Sequence, residues 1–241
     1  MFRTFLVLLF LLLFFIFSIP ALLVETIIGL FSKNTRTRIA CFVVRYLFKV
    51  ILFLSGTHYT VKGLDNIPDN QAVLYVGNHN SYFDIILSGA VIPTSIRYVS
   101  KKEIKKVPII NLWMYYMNCL FIDRADVRQG LQTINKGAEL VKNGWSIFIF
   151  PEGTRSKTGE MAAFKEGSFK IAQKSGCPVV PVAFTNTSSI LEKHFPKIKS
   201  ANVTIEFGRP ICIDELPKDQ KKKLGALSQE AIQKMIDETI K

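Results

Sequence analysis

A chain of 241 residues, 49% of them hydrophobic, can hold one sizeable α/β domain and an appendage. Four well-separated cysteines without a C-x-x-C pair, and only three histidines, argue against a disulfide framework and a zinc centre. The net charge of +12 asks for an anionic partner; no nucleic-acid motif accompanies it, and phenylalanine-rich apolar segments suit a lipid surface better.

Residues 5–24 form an apolar run interrupted only by Ser18 and Pro20, long enough to cross a bilayer core. The run exceeds a signal-peptide core, and the Ile19-Pro20-Ala21 stretch lacks a small-x-small cleavage site, so the segment is expected to stay attached. A loop at 32–37 adds Lys33 and Arg36. Residues 39–54 then predict a helix on which Arg38, Arg45 and Lys49 share one stripe. Two readings fit that stripe: an interfacial helix with its cations at lipid phosphate level, or a core helix with snorkelling cations. Positive charge after the first helix rather than before it predicts that everything downstream lies in the cytoplasm. The expected organisation is therefore a two-helix membrane element at 1–56 followed by an α/β domain at 57–241.

Beyond Gly56 the pattern predicts strands at 58–61, 72–76, 97–100, 119–122, 146–150, 179–184 and 203–207. Most are continuous apolar runs, as in strands covered on both faces. The last alternates, Val203, Ile205 and Phe207 against Thr204 and Glu206. Helices are predicted at 84–90, 104–117, 127–142, 164–173 and 224–240. The fold class is α/β, with a central, mostly parallel sheet of about seven strands flanked by helices.

His79 and Asp84 sit five positions apart where the second strand hands over to a helix. A neutral imidazole can take a proton from an alcohol when one ring nitrogen is an acceptor, and a carboxylate on the opposite N–H fixes that tautomer. The plain structural alternative is that Ser81 and Asp84 form an S-x-x-D capping box and nothing more. A second block, Phe150-Pro151-Glu152-Gly153-Thr154-Arg155-Ser156, follows the fifth strand. There Pro151 ends the strand, Gly153 lets the backbone turn, and Arg155 offers a planar fork to a phosphate. Between the blocks, Phe121-Ile122-Asp123-Arg124 ends the fourth strand in another arginine. His79, Arg124, Glu152 and Arg155 thus collect at carboxyl ends of strands, where open parallel sheets bind ligands. Cys119 and Cys177 lie in apolar strand contexts that keep a thiol protonated, which argues against a cysteine nucleophile. No G-x-S-x-G elbow exists either, since Gly167-Ser168-Phe169 lacks the closing glycine.

With these blocks the chain resembles the membrane glycerolipid acyltransferases, most closely the 1-acylglycerol-3-phosphate acyltransferases. The His79/Asp84 run is similar to that family's catalytic H-x4-D motif. The segments ending at Arg124, running from Phe150 to Ser156, and reading Val179-Val180-Pro181-Val182 resemble its second, third and fourth motifs, in the family's order. One position departs: Asn118 stands where the second motif commonly has glycine, and asparagine tolerates left-handed backbone well enough to keep the turn.

The resemblance implies acyl transfer from a thioester, acyl-CoA or acyl carrier protein, to the 2-hydroxyl of lysophosphatidic acid, giving phosphatidic acid, with no metal and no bound cofactor. His79 would be the base and Asp84 its orienting carboxylate. Arg124 and Arg155 would hold the phosphate, Glu152 a glycerol hydroxyl or an arginine, and Gly153 and Thr154 would lend backbone N–H groups. Lys101, Lys102, Lys105 and Lys106 would meet membrane phosphates or an acidic acyl carrier protein, or simply solvate a helix start. The partners expected are an anionic membrane surface and these substrates, not nucleic acid. The alternatives are acylation of another lysophospholipid or of glycerol 3-phosphate, and a non-enzymatic lipid-binding protein.

Overall fold

The computed structural model describes residues 1–240. Two helices open the chain, α1 (Phe2–Phe31) and α2 (Lys33–Ser55). At 30 residues, α1 is about 45 Å long, and among the described residues it is the one helix long and apolar enough to cross a membrane. Leu8, Leu12, Ile16, Leu23 and Ile27 face outward from it. The expected loop at 32–37 shrinks to Ser32, whose hydroxyl caps α2 by accepting from the Thr35 N–H; the two helices are otherwise continuous.

The rest of the chain forms β1 (His58–Lys62), β2 (Leu74–Gly77), α3 (Tyr82–Val91), β3 (Ile96–Lys101), α4 (Ile110–Tyr116), β4 (Leu120–Ile122), α5 (Val127–Lys142), β5 (Ser146–Ile149), α6 (Lys170–Ser175), β6 (Val179–Thr185), β7 (Asn202–Phe207) and α7 (Leu224–Ile240). Each of the seven expected strands is present. Two helices are shorter than the pattern predicts. The 104–117 segment is divided because Pro108 and the positive φ of 66° at Ile109 separate a 3-10 turn (Lys102–Lys106) from α4. In 164–173 only the end is α-helical, a 3-10 turn at Glu166–Phe169 preceding α6.

The seven strands make one sheet in the order β1-β7-β6-β2-β5-β3-β4. All neighbours are parallel except β6 and β7, so β1 and β7 run opposite to the other five. Side chains alternate between two cores. Tyr75, Phe148, Val182 and Phe184 pack with α2, α3 and α4 on one face, whereas Leu74, Val76, Ile147, Ile149 and Ala183 pack with α5, α6 and α7 on the other.

The second helix belongs to that first core. Ala40, Cys41, Val44, Ile51 and Leu52 are buried in the same cluster as Tyr75 and Phe148. Arg45, expected in a lipid-facing stripe, instead donates to the carbonyls of Pro93 and Thr94 at 2.9 and 2.7 Å, tying α2 to the loop after α3. Arg38 and Lys49 remain exposed. Gly56, at φ 66°, is thus a turn between packed elements rather than a gap in packing. α1 is more lightly held, through Ser18, which accepts from Trp113 Nε1 at 3.0 Å, and a Thr26–Tyr116 hydroxyl pair at 2.6 Å.

Candidate active site

The site lies where β2, β4, β5 and β6 deliver their carboxyl ends. β2 ends at Gly77, which must be glycine because a Cβ there would sit 2.9 Å from the Phe184 ring and 3.1 Å from the Phe148 ring. Asn78 then bridges to β6 in place of backbone, donating to Phe184 O at 2.9 Å and accepting from Phe184 N at 2.8 Å. This carries His79 to the mouth of the sheet.

The buried Asp84 carboxylate faces four donors. Its Oδ2 accepts from His79 Nδ1 at 2.9 Å and from the N–H groups of Asn80 and Ser81, both at 2.7 Å; its Oδ1 accepts from Thr187 Oγ at 2.5 Å. Since the carboxylate only accepts, Nδ1 carries a proton, and in the neutral imidazole Nε2 is then the nitrogen with the lone pair. No described residue bonds Nε2. The capping box of Ser81 and Asp84 is also formed, so one carboxylate starts α3 and orients the imidazole together. Phe150 stacks on the His79 ring at 4.0 Å, fixing its plane.

The backbone of His79 is gripped from both sides by the segment after β5. Glu152 Oε1 accepts the His79 N–H at 2.7 Å, and His79 O accepts the Ser156 N–H at 2.7 Å. Glu152 Oε2 accepts the Ala162 N–H at 2.9 Å. Its carboxylate therefore fastens two loops, and burial pushes its pKa up against the pull of those amides.

Arg155 is held within the fold in the same way. Its guanidinium donates to Glu192 Oε1 at 2.9 Å and lies over the Tyr82 ring at 3.6 Å. Glu192 also takes Ser81 Oγ at 2.6 Å and the Tyr82 N–H at 2.9 Å. Arg155 is thus neutralised and bound to the start of α3. Arg124 is exposed beside Gly153, whose N–H is spent on Phe150 O at 3.0 Å, while the Thr154 N–H bonds to no described residue. Of the four lysines singled out, Lys102 is ion-paired to Asp123 at 2.5 Å. Burial drives the Cys119 thiol up to about 12 and raises that of Cys177, leaving neither as a nucleophile. Among the described residues no group of three His, Cys, Asp or Glu is placed to hold a metal.

Glu192 and Thr187 were not found from sequence. They lie 37 to 111 positions from the residues they hold, and no local pattern links them.

The family model described as acyltransferase matches residues 58–185, from the start of β1 to the end of β6, so both of these residues fall just past it. A 1-acyl-sn-glycerol-3-phosphate acyltransferase of Saccharomyces cerevisiae is 32% identical over 80% of this chain, which spans 63% of that protein's length. One of Borreliella burgdorferi is 30% identical over 85% of this chain and 81% of its own. The crystal structure of the 1-acyl-sn-glycerophosphate acyltransferase PlsC of Thermotoga maritima has the same fold, with a TM-score of 0.76 over 98% of this chain and 97% of that one, at 24% identity.

Proposed function

The chain belongs to the acyltransferase family, and from that premise we propose that it transfers a fatty acyl group from a thioester to the 2-hydroxyl of lysophosphatidic acid, forming phosphatidic acid. The observation that carries this reading is the His79–Asp84 pair: Nδ1 held at 2.9 Å by a carboxylate that three further donors keep in place, with Nε2 free. Nε2 takes the hydroxyl proton as the oxygen attacks the thioester carbonyl. Asp84 stabilises the imidazolium that forms. The C–S bond then breaks as the C–O bond is kept, and the imidazolium returns its proton to the departing thiolate. No covalent enzyme intermediate and no bound cofactor is required.

Arg124 anchors the phosphate, so that the glycerol hydroxyl is presented to His79 instead of diffusing to it. The unpaired Thr154 N–H stabilises the developing oxyanion in this reading. Glu152 and Gly153 act through the backbone, one by pinning His79 and the other by turning the chain. The apolar outer surface of α1 supports membrane attachment, and the cations after α1 support a cytoplasmic catalytic face on an anionic bilayer. Either acyl-CoA or an acidic acyl carrier protein would serve as donor to a chain of charge +12.

The test is a substrate panel. Purified protein in detergent micelles is offered lysophosphatidic acid, lysophosphatidylcholine and glycerol 3-phosphate with each thioester. Strong preference for lysophosphatidic acid supports the proposal; equal or better use of either other acceptor replaces it, and binding of lysolipid without transfer to any acceptor favours a lipid-binding protein.

A further inference from the structure

The phosphate-binding set read from the sequence consisted of two arginines, and one of them is spent elsewhere: Arg155 is paired with Glu192 and stacked on Tyr82. A different cation, Lys165, lies with Arg124 beside Gly153. Gly153 turns the chain at φ 81°, and a Cβ built on it would lie 3.1 Å from both Cζ and Nη1 of Arg124 and 3.2 Å from Nζ of Lys165. Two positive groups therefore approach one point from opposite partners, no farther apart than those two short distances laid end to end. The point itself is empty of side chain because the residue there is glycine.

Nothing acidic neutralises the pair. Among the described residues, neither Arg124 nor Lys165 forms an ion pair within 4.0 Å. The nearby acids have other partners. Asp123 takes Lys102 and the Ala125 N–H; Glu152 takes the His79 and Ala162 N–H groups; Glu166 takes the Gly225 N–H. Glu103 alone is felt by Arg124, at a distance beyond ion-pair range.

The backbone of Lys165 is fixed to the turn at Gly153. The Lys165 N–H donates to Pro151 O at 3.2 Å and its carbonyl accepts the Ser168 N–H at 3.0 Å, so its backbone is bound to the segment that carries Glu152 and Gly153. Two cations that close on a glycine where any Cβ would crowd them, next to a residue that grips His79, form a cradle for a compact dianion.

We propose that Lys165 and Arg124 together hold the phosphate monoester of the acceptor above Gly153, with Glu192 keeping Arg155 out of that site. This rests on the acceptor reading given above and names a residue that lies outside the four sequence motifs. Phosphate could also reach the cradle from the donor, whose coenzyme A portion carries three phosphoryl groups. The acceptor is favoured because the cradle adjoins the residue pinning His79, where the acceptor's hydroxyl must be.

The experiment uses the full chain in detergent micelles, with Lys165→Gln, Lys165→Arg and Arg155→Gln variants. Donors are acyl-CoA and an acyl-N-acetylcysteamine thioester, which has no phosphate. Binding of a short-chain lysophosphatidic acid is followed by isothermal titration, which needs no turnover. Losing one charge-assisted hydrogen bond to phosphate predicts that Lys165→Gln raises the dissociation constant and the KM for lysophosphatidic acid roughly tenfold or more. The KM for either thioester should stay within about twofold. Lys165→Arg should recover most of the loss, and Arg155→Gln should lower kcat without the same rise in KM.

Lysophosphatidic acid bound equally by wild type and Lys165→Gln would overturn the cradle while leaving the acyl-transfer reading intact if the wild type still makes phosphatidic acid. A KM rise for acyl-CoA but not for the N-acetylcysteamine thioester would overturn it in favour of a donor site. Binding that depends on Lys165 without acyl transfer to lysophosphatidic acid would leave the cradle standing and sink the acyl-transfer reading. A wild type that neither binds nor acylates lysophosphatidic acid would sink both.

Discussion

Glu152 accepts the backbone N–H of His79 at 2.7 Å, joining two motifs that lie 73 positions apart in sequence. The reactive imidazole is therefore held from three directions: by Asp84 on the ring, by Phe150 on its face and by Glu152 on the backbone.

That bond makes Glu152→Gln informative. Both carboxylate oxygens face amide donors, so whichever way the new side chain is turned, its NH2 group confronts an N–H. Leaving such a donor unpaired costs about 1–3 kcal/mol. The melting temperature should fall by several degrees and kcat should drop, with little change in KM for lysophosphatidic acid. A raised KM at unchanged melting temperature would instead make Glu152 a substrate-binding group.

Glu192→Ala releases Ser81, the Tyr82 N–H and Arg155 at one stroke. Because these set the start of α3 and so the position of Asp84, we expect kcat to fall roughly tenfold through misorientation of His79. Turnover equal to the parent would show that the Glu192 contacts do not matter to the site.

Gly153→Ala forces an L side chain into φ 81° and against Arg124 and Lys165. The backbone strain alone is roughly 1–2 kcal/mol. A larger effect on lysophosphatidic acid binding than on thermal stability is expected, since both cations must move; the opposite order would place the substrate phosphate elsewhere.

The two amino-terminal helices should respond differently to truncation. Deleting residues 1–31 removes few buried contacts, Val7 and Leu22 among them, and should give a folded protein with weakened vesicle binding. Deleting residues 1–56 also strips Val44, Ile51 and Leu52 from the core, at roughly 1.5–3 kcal/mol each. That loss is comparable to a typical domain's whole stability, so the 57–241 fragment should lack a cooperative melt. A sharp thermal transition in that fragment would show that α2 is dispensable to the core.

Much of this was legible because local chemistry marks it. Apolar runs between turn residues located most strands and alternation the last, and the 127–142 and 224–240 helices have the bounds their patterns predict. Asn118 adopts φ 57°, the left-handed turn expected of it. The antiparallel turn of β7 against β6 was not visible, since an apolar run does not state its direction. The cation stripe of α2 left an interfacial and a core reading open, because the carbonyls of Pro93 and Thr94 that receive Arg45 do not show in sequence. The same holds at the site. His79, Asp84 and Arg124 stand in short motifs, but Thr187, Glu192 and Lys165 act across the fold, and Arg155 seemed free only because Glu192 was out of sight.

The most direct test of the central claim is phosphatidic acid formation from labelled lysophosphatidic acid, measured with wild type and His79→Ala at matched folding and vesicle binding. A positioned general base predicts a fall in turnover of about two to four orders of magnitude, with lysophosphatidic acid still bound. Near-normal turnover by His79→Ala would contradict the account.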